Sequence, residues 1–353
     1  MTLVRKYTAA LSGALMALVM MLGVAAPAAA SPFDNLVERG VVTDVTRTEN
    51  DRDWYPDQPD TPVVFVPGTG DEGFENRTAG HAGTRDAYAI NYPESFGVFV
   101  TGNHEGSRFT APTYDESAAI GTAATVETFR EIRGGDDPYE GTVIYNGYSQ
   151  GSEILGNAAE QAYADGLLTA QDDIRLDSDP SGPWAIETRL EGTPVEPIAA
   201  ALGVTTDGRD PADTGEEARV TSVIRTSDPV SNFQWQNDKP VESVAVNVAG
   251  FAMVHSGASE QNFDNAMEGD TWETADRYRS VEGNTEYVVI EDDHPFTLVE
   301  TEALNTVGIT PPAEYSKKRN DFYNEHVFEM SMPSVENSAV AVEQVQPELA
   351  PAA

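Results

Sequence analysis

The chain of 353 residues contains no cysteine and almost no lysine. Without cysteine there is no disulfide, no thiolate nucleophile and no cysteine-ligated metal, so stability must come from core packing. The lysines are Lys6, Lys239, Lys317 and Lys318, and the 21 Lys and Arg residues stand against 59 Asp and Glu residues. The resulting net charge of −38 argues against nucleic acid and anionic membranes as partners, because phosphate groups carry the same sign.

Long apolar runs are also scarce, and the one clear example lies at the N-terminus. Arg5 and Lys6 precede an almost wholly apolar stretch over residues 8–26, and Ala28-Ala29-Ala30 follows it. This order predicts a secretory signal peptide over residues 1–30. A membrane anchor is the alternative, since the run is borderline in length for a span; the alanine-rich end favours cleavage. We therefore expect a secreted protein, extracellular or envelope-associated, without a transmembrane segment after cleavage.

The rest of the chain alternates short β-branched runs with segments of helical spacing. Strands are predicted at residues 63–66, 87–92, 142–145, 173–176, 220–224 and 287–290, and helices at residues 114–133, 153–165, 241–253 and 295–304. Such alternation predicts an α/β fold, with a mainly parallel sheet and helices on both faces. Two long acidic stretches, 178–218 and 256–284, are predicted to be lids or partly disordered loops.

The pattern divides the chain into segments. We predict, in order, a signal peptide (1–30), an ordered or semi-ordered lead-in without periodicity (31–60), an α/β domain (61–310), a C-terminal extension (311–330) and a disordered tail (331–353). The tail is assigned to disorder because Ser, Ala, Glu, Pro and Val follow one another there without a core pattern.

The strongest chemical signal is Gly147-Tyr148-Ser149-Gln150-Gly151, which follows a predicted strand and precedes a predicted helix. A sharp turn from strand to helix needs glycines around the central residue, and it lifts the serine hydroxyl above the edge of the sheet. The alternative is a plain glycine-rich turn. In this setting the pattern predicts that Ser149 is a nucleophile.

A serine nucleophile needs a histidine base and an acid that orients it. In hydrolases of this kind the order along the chain is serine, acid, histidine. Of the five histidines, His81 and His104 precede Ser149 and His326 lies near the tail, so that His255 and His294 remain. Asp228 follows the strand at residues 220–224 and precedes Pro229, which suits an acid at the end of a strand. Asp179 is its rival.

An oxyanion hole needs two backbone N–H donors near the nucleophile. One should come from Gln150, the residue after the serine, and the other from an early loop. Val66-Pro67-Gly68-Thr69-Gly70 closes the first long strand and offers Thr69. An ordinary glycine-rich turn is the alternative reading of that loop.

Three of these features together resemble a known family. The Pro67-Gly68-Thr69-Gly70 loop, the elbow around Ser149, and Asp179-Pro180 followed by Gly182 resemble the PE-PPE domain family of actinobacteria. That family is similar to cutinases, whose elbow often reads the same five residues. The resemblance covers roughly residues 60–305.

The resemblance implies a cutinase-like α/β-hydrolase that acts on carboxylic esters or lipids of the cell envelope. It also implies that the catalytic histidine follows the acid after a short segment, as His255 follows Asp228. His294, which ends the strand at residues 287–290, fits the general hydrolase layout instead. Where the family tends to have tyrosine three residues after the histidine, this chain has Ala258.

Three functions are compatible with these residues. The first is an esterase or lipase, whose Ser-His-Asp chemistry needs neither metal nor organic cofactor. The acidic pairs Asp71-Glu72 and Asp292-Asp293 lack the spacing of a calcium loop, so we expect them to be solvated surface residues. The second is an acyltransferase with the same triad, in which a sugar or lipid hydroxyl replaces water. The third is a non-catalytic binding protein on a decayed hydrolase fold, and it predicts that every histidine lies far from Ser149.

Overall fold

The computed structural model describes residues 31–345 apart from positions 50–51, 72–78, 105, 136, 207, 209–211, 213, 216, 266–269 and 313. The predicted signal peptide over residues 1–30 and the end of the tail lie outside the described residues. Within the described part, no helix is long and apolar enough to cross a bilayer.

The described residues form one nine-stranded sheet with the order β1-β3-β2-β4-β5-β6-β8-β7-β9. The central strands from β3 to β8 in this order run parallel, and β1, β7 and β9 pair antiparallel at the two edges. The strands are β1 (Val42–Asp44), β2 (Val63–Val66), β3 (Ala87–Ile90), β4 (Val143–Tyr148), β5 (Asp172–Asp177), β6 (Arg219–Arg225), β7 (Asp276–Ser280), β8 (Thr285–Ile290) and β9 (Val342–Val345).

Helices occupy most of the segments between the strands. They are α1 (Pro32–Glu38), α2 (Tyr114–Gly134), α3 (Gln150–Ala164), α4 (Ile186–Leu190), α5 (Glu196–Ala201), α6 (Pro240–Gly250), α7 (Asp270–Thr274), α8 (Pro295–Thr306) and α9 (Glu314–His326). A π-helical turn, Phe251–His255, continues α6. Each helix and strand that the periodicity predicted is present, with ends that differ by a few residues.

Both faces of the sheet are covered, which explains why its central strands are continuously apolar. In β2, Val64 points into a core shared with α2 and α3, whereas Phe65 points into a core with Trp54 on the other face. On that second face, Val254 of the π-helical turn and Leu298 of α8 pack against β6 and β8. The predicted α/β fold with helices on both faces is therefore confirmed.

The predicted boundaries were wrong at the start of the domain. Residues 31–60 are not a separate lead-in, because α1 buries Phe33 and Leu36 and β1 pairs with β3. A capping box between Ser31 and Asp34 begins α1. A helix of one to two turns and a three-residue strand are too short to show periodicity, so their order comes from packing on the sheet.

The prediction of a disordered tail from residue 331 was also wrong for the described part. β9 pairs with β7 and extends the sheet at its edge, with Val342 buried. Just before it, Asn337 accepts a hydrogen bond from the indole N–H of the buried Trp184 at 2.8 Å. Backbone pairing and this anchor order a segment whose composition shows no core pattern.

The remaining predicted segments also contain regular structure. The extension at residues 311–330 forms α9, which packs on α8 through an ion pair of 2.6 Å between Arg319 and Glu300. The acidic stretch 178–218 contains α4 and α5, and the stretch 256–284 contains α7 and β7.

Candidate active site

Ser149 lies in a tight turn between β4 and α3. Its φ of 54° and ψ of −125° place a residue with a side chain in a region that favours glycine. The flanking glycines are required for steric reasons. A Cβ on Gly147 would lie 2.5 Å from the Gly151 carbonyl oxygen, and one on Gly151 would lie 2.0 Å from that of Val66. The strand–turn–helix context predicted for Ser149 is present.

Gln150 is the first residue of α3, where backbone N–H groups have no partner inside the helix. Its buried side chain is held by hydrogen bonds to the carbonyl oxygens of Tyr114 (3.1 Å) and Ser95 (3.4 Å). The N–H of Gln150 is thereby fixed beside Ser149, at the positive end of the helix dipole.

The loop after β2 lies directly against the elbow. Thr69 Oγ1 donates to Gln150 Oε1 at 3.4 Å, and a Cβ on Gly68 would lie 3.0 Å from the Tyr148 carbonyl oxygen. On its other side, Tyr92 Oη donates to the Pro67 carbonyl oxygen at 2.5 Å. The structure therefore brings together Thr69 and Gln150, the two residues predicted to form an oxyanion hole.

His255 and Asp228, 27 positions apart in the chain, meet in the interior. His255 Nδ1 lies 3.2 Å from both carboxylate oxygens of Asp228. Because a carboxylate accepts hydrogen bonds, the proton of a neutral imidazole belongs on Nδ1, and Nε2 keeps a free lone pair. The ring lies between Tyr148 and Phe251, with centroid distances of 5.2 and 4.7 Å.

The approach of these two residues depends on Gly250, which ends α6. A Cβ at this position would lie 2.2 Å from the carbonyl oxygen of Ser227, directly before Asp228. Because Gly250 has no side chain, α6 packs closely on the turn after β6. The π-helical turn that follows then carries His255 to the carboxylate.

The Asp228 carboxyl is fully buried and nonetheless ionised. Burial by itself would raise its pKa, but His255 lowers the pKa through charge and hydrogen bonding. Hydrogen bonds from Ser178 and from the N–H of Val230 lower it further, so that the pKa lies below its ordinary value. At neutral pH the imidazole therefore faces a carboxylate.

Ser149, Thr69 and His255 border the same cavity of about 1010 Å³. Its apolar lining side chains include Phe96, Val100, Tyr114, Ile186, Val204, Val230 and Phe251. Its charged lining residues are Arg47, Arg52, Asp71, Glu187 and Asp264. The non-catalytic alternative predicted that every histidine lies far from the elbow, and His255 does not.

His294 occupies a different place. Its Nε2 donates to the Phe328 carbonyl oxygen at 3.1 Å, and its Nδ1 accepts from the Phe296 N–H at 3.2 Å, so both nitrogens are bound to backbone. It borders a separate cavity of about 450 Å³. Burial lowers its pKa to about 4, which keeps the ring neutral as the cap of α8.

The other acidic candidates have structural partners. Asp179, the rival of Asp228, accepts hydrogen bonds from the N–H and hydroxyl of Ser181 within a turn. Asp292 is not a solvated residue: it is buried against Arg225, with Nε and Oδ1 2.9 Å apart. In the part of the chain that the structure describes, no group of three or more His, Asp or Glu residues is arranged to hold a metal ion.

Sequence reasoning missed three residues around His255. Tyr148 and Phe251 flank its ring, and Tyr148 Oη also donates to the His255 carbonyl oxygen at 2.7 Å. Ser178 at the end of β5 contacts both Asp228 and His255. Tyr148 was visible inside the elbow motif, whereas no sequence signal marks Ser178 or Phe251.

Comparison with known proteins finds a family model and several distant matches among solved structures. The mature lipase of Bacillus licheniformis matches with 15% identity over 60% of this chain and 80% of its own, at a TM-score of 0.32. A thermophilic esterase from Thermogutta terrifontis matches with 15% identity over 81% and 90%, at a TM-score of 0.30. The catalytic core of the acetyl xylan esterase from Trichoderma reesei matches with 18% identity over 55% and 95%, at 0.31.

The search of curated proteins gives no match. The sequence model of the PE-PPE domain matches residues 83–314, which is well over half of the chain and includes the elbow, the acid and the histidine. The chain therefore belongs to the PE-PPE domain family.

Proposed function

We propose that this protein is a secreted serine hydrolase that cleaves carboxylic esters or lipids. The observation that carries the proposal is the shared cavity, which is bordered by the strained Ser149 and by a histidine bound to a buried carboxylate. Together these are the parts that activate a serine hydroxyl.

In the proposed reaction the Ser149 hydroxyl attacks the ester carbonyl. His255 accepts the hydroxyl proton on Nε2, because Nδ1 is occupied by the bond to Asp228. The Asp228 carboxylate stabilises the imidazolium that forms, and the imidazolium then protonates the leaving alcohol. Water repeats the sequence on the acyl-enzyme and releases the acid.

The negative charge that develops on the carbonyl oxygen needs donors fixed in advance. The backbone N–H groups of Gln150 and Thr69 are our candidates. Gln150 lies at the N-terminus of α3, and the Thr69 loop packs against it. The apolar cavity wall around Phe96, Tyr114 and Val204 suits the hydrocarbon part of an ester.

Turnover of p-nitrophenyl esters of increasing chain length, measured at low and high salt, tests the proposal. Ser149→Ala should abolish hydrolysis. His255→Gln and His294→Gln form a matched pair, in which the first should lose activity and the second should retain it, with folding checked by circular dichroism. Equal activity in wild type and Ser149→Ala would rule out Ser149 as the nucleophile.

Secretion rests on residues 1–30 and belongs to the proposal. Expression of the full chain in an actinobacterial host should release a protein whose N-terminus lies near Ser31. Recovery of full-length chain in the membrane fraction would contradict cleavage.

A further inference from the structure

Ser178 is the residue that follows β5, and its hydroxyl lies between the two partners of the proposed charge pair. Its Oγ donates a hydrogen bond to Asp228 Oδ2 and lies 3.0 Å from His255 Nδ1. The direct distance from Nδ1 to either carboxylate oxygen is longer, at 3.2 Å. The hydroxyl oxygen is therefore the nearest of these three acceptors to the imidazole.

The backbone holds this hydroxyl in place at a conformational cost. Ser178 is fully buried and has a φ of 58°, a left-handed conformation that residues with a side chain rarely adopt. Its N–H donates to the Val223 carbonyl oxygen of β6 at 3.1 Å. Glycine would adopt the same backbone without strain, so the serine is not there to form the turn.

We propose that Ser178 is a positioning residue of the hydrolase, acting on the base through His255 Nδ1. Its hydroxyl donates to Asp228 Oδ2 and accepts from the Nδ1–H, so that the imidazolium formed during turnover meets an oxygen lone pair as well as the carboxylate. The inference depends on the proposed function, because it assigns Ser178 to the same triad.

Ser231, a second serine beside Asp228, separates the effect of a bond to the carboxylate from that of a contact with the imidazole. Ser231 also donates to Asp228 Oδ2, at 3.4 Å, and the Val230 N–H donates to Oδ1 at 3.0 Å. Both stabilise the carboxylate, and among the described hydrogen bonds neither group contacts the imidazole. Among the described contacts, the ionisable side chains near His255 are Asp228 and Tyr148, and burial together with the charge of Asp228 raises the pKa of the Asp292 carboxyl.

The experiment compares Ser178→Ala and Ser178→Gly with Ser231→Ala in the mature protein. Both Ser178 variants should lower kcat about tenfold, the effect expected for losing a hydrogen bond to a charged group, while KM stays within about twofold. The acid limb of the kcat/KM profile should move to lower pH, because the protonated imidazole has lost an acceptor. Ser231→Ala should not move it in that direction.

A second measurement is independent of turnover. The low-field proton resonance of the His255 Nδ1–H, assigned with His255→Gln, should move upfield in both Ser178 variants. Ser178→Gly guards against a folding defect, since glycine relieves the positive φ. An unmoved acid limb and an unmoved resonance in folded Ser178→Gly would overturn the positioning role. If wild-type protein is itself inactive, the proposed function fails first, and the resonance still tests whether Ser178 contacts the imidazole.

Discussion

Replacing Gly250 with alanine would force a methyl group against the turn that carries Asp228. The new Cβ would lie 2.2 Å from the Ser227 carbonyl oxygen, whereas ordinary contacts begin at 3.4 Å. The helix α6 and this turn would have to separate by roughly 1.2 Å, the difference between the two distances. His255 is five residues further along the same helical segment, so the shift acts on its bond to Asp228.

The expected loss follows from that displacement. A distance of 3.2 Å between Nδ1 and the carboxylate would stretch beyond 4 Å, at which no hydrogen bond remains. A hydrogen bond to a charged group contributes about 1.5–3 kcal/mol, so kcat should fall about 10- to 100-fold. Overpacking at α6 should also lower the free energy of unfolding by about 1–3 kcal/mol, seen as a lower Tm.

Ester hydrolysis and thermal unfolding of Gly250→Ala measure both effects. Gly182→Ala is the matched control: it adds the same methyl group to a buried glycine near the site, but its Cβ would lie 3.7 Å from the nearest non-neighbouring atom, the Asp179 carbonyl oxygen. That variant should keep kcat within about twofold and leave Tm nearly unchanged. If Gly250→Ala matched it in both kcat and Tm, close packing of α6 would not position His255.

Three further outcomes are expected. Asp228→Asn should reduce kcat by about 10³- to 10⁴-fold with little change in KM, because the amide no longer selects the Nδ1–H tautomer of His255. A drop in kcat of less than about tenfold in steady-state kinetics would contradict the role assigned to Asp228. Gly151→Ala should prevent folding or abolish activity, since its Cβ would lie 2.0 Å from the Val66 carbonyl oxygen; soluble, active protein would contradict the packing. His294 has a pKa of about 4 in the folded protein against 6.5 for a free side chain, so the unfolded chain binds the proton more readily. The free energy of unfolding should therefore fall as the pH drops from 6.5 to 4. Denaturant titrations should show a steeper fall for the wild type than for His294→Gln.

Much of the fold could be predicted from local patterns. The apolar run Val63–Val66 has all four side chains buried, because it lies in the centre of a sheet covered on both faces. The short elements α1, β1 and β9 could not be predicted, because their residues gain order only by pairing or packing with distant parts of the chain. Neither composition nor spacing records those partners.

The active-site residues likewise fall into those that local sequence could identify and those that only the tertiary structure reveals. Ser149 was identifiable because its turn requires glycines two residues away on each side, and such a requirement is visible as a local sequence motif. The distinction between His255 and His294 was not local, since both follow Asp228 in the chain and both are buried. Close packing of α6 on the turn after β6 brought His255 to the carboxylate, while the backbone around α8 bound both nitrogens of His294. Ser178 became visible for the same reason, because its contacts join three segments that are distant in sequence.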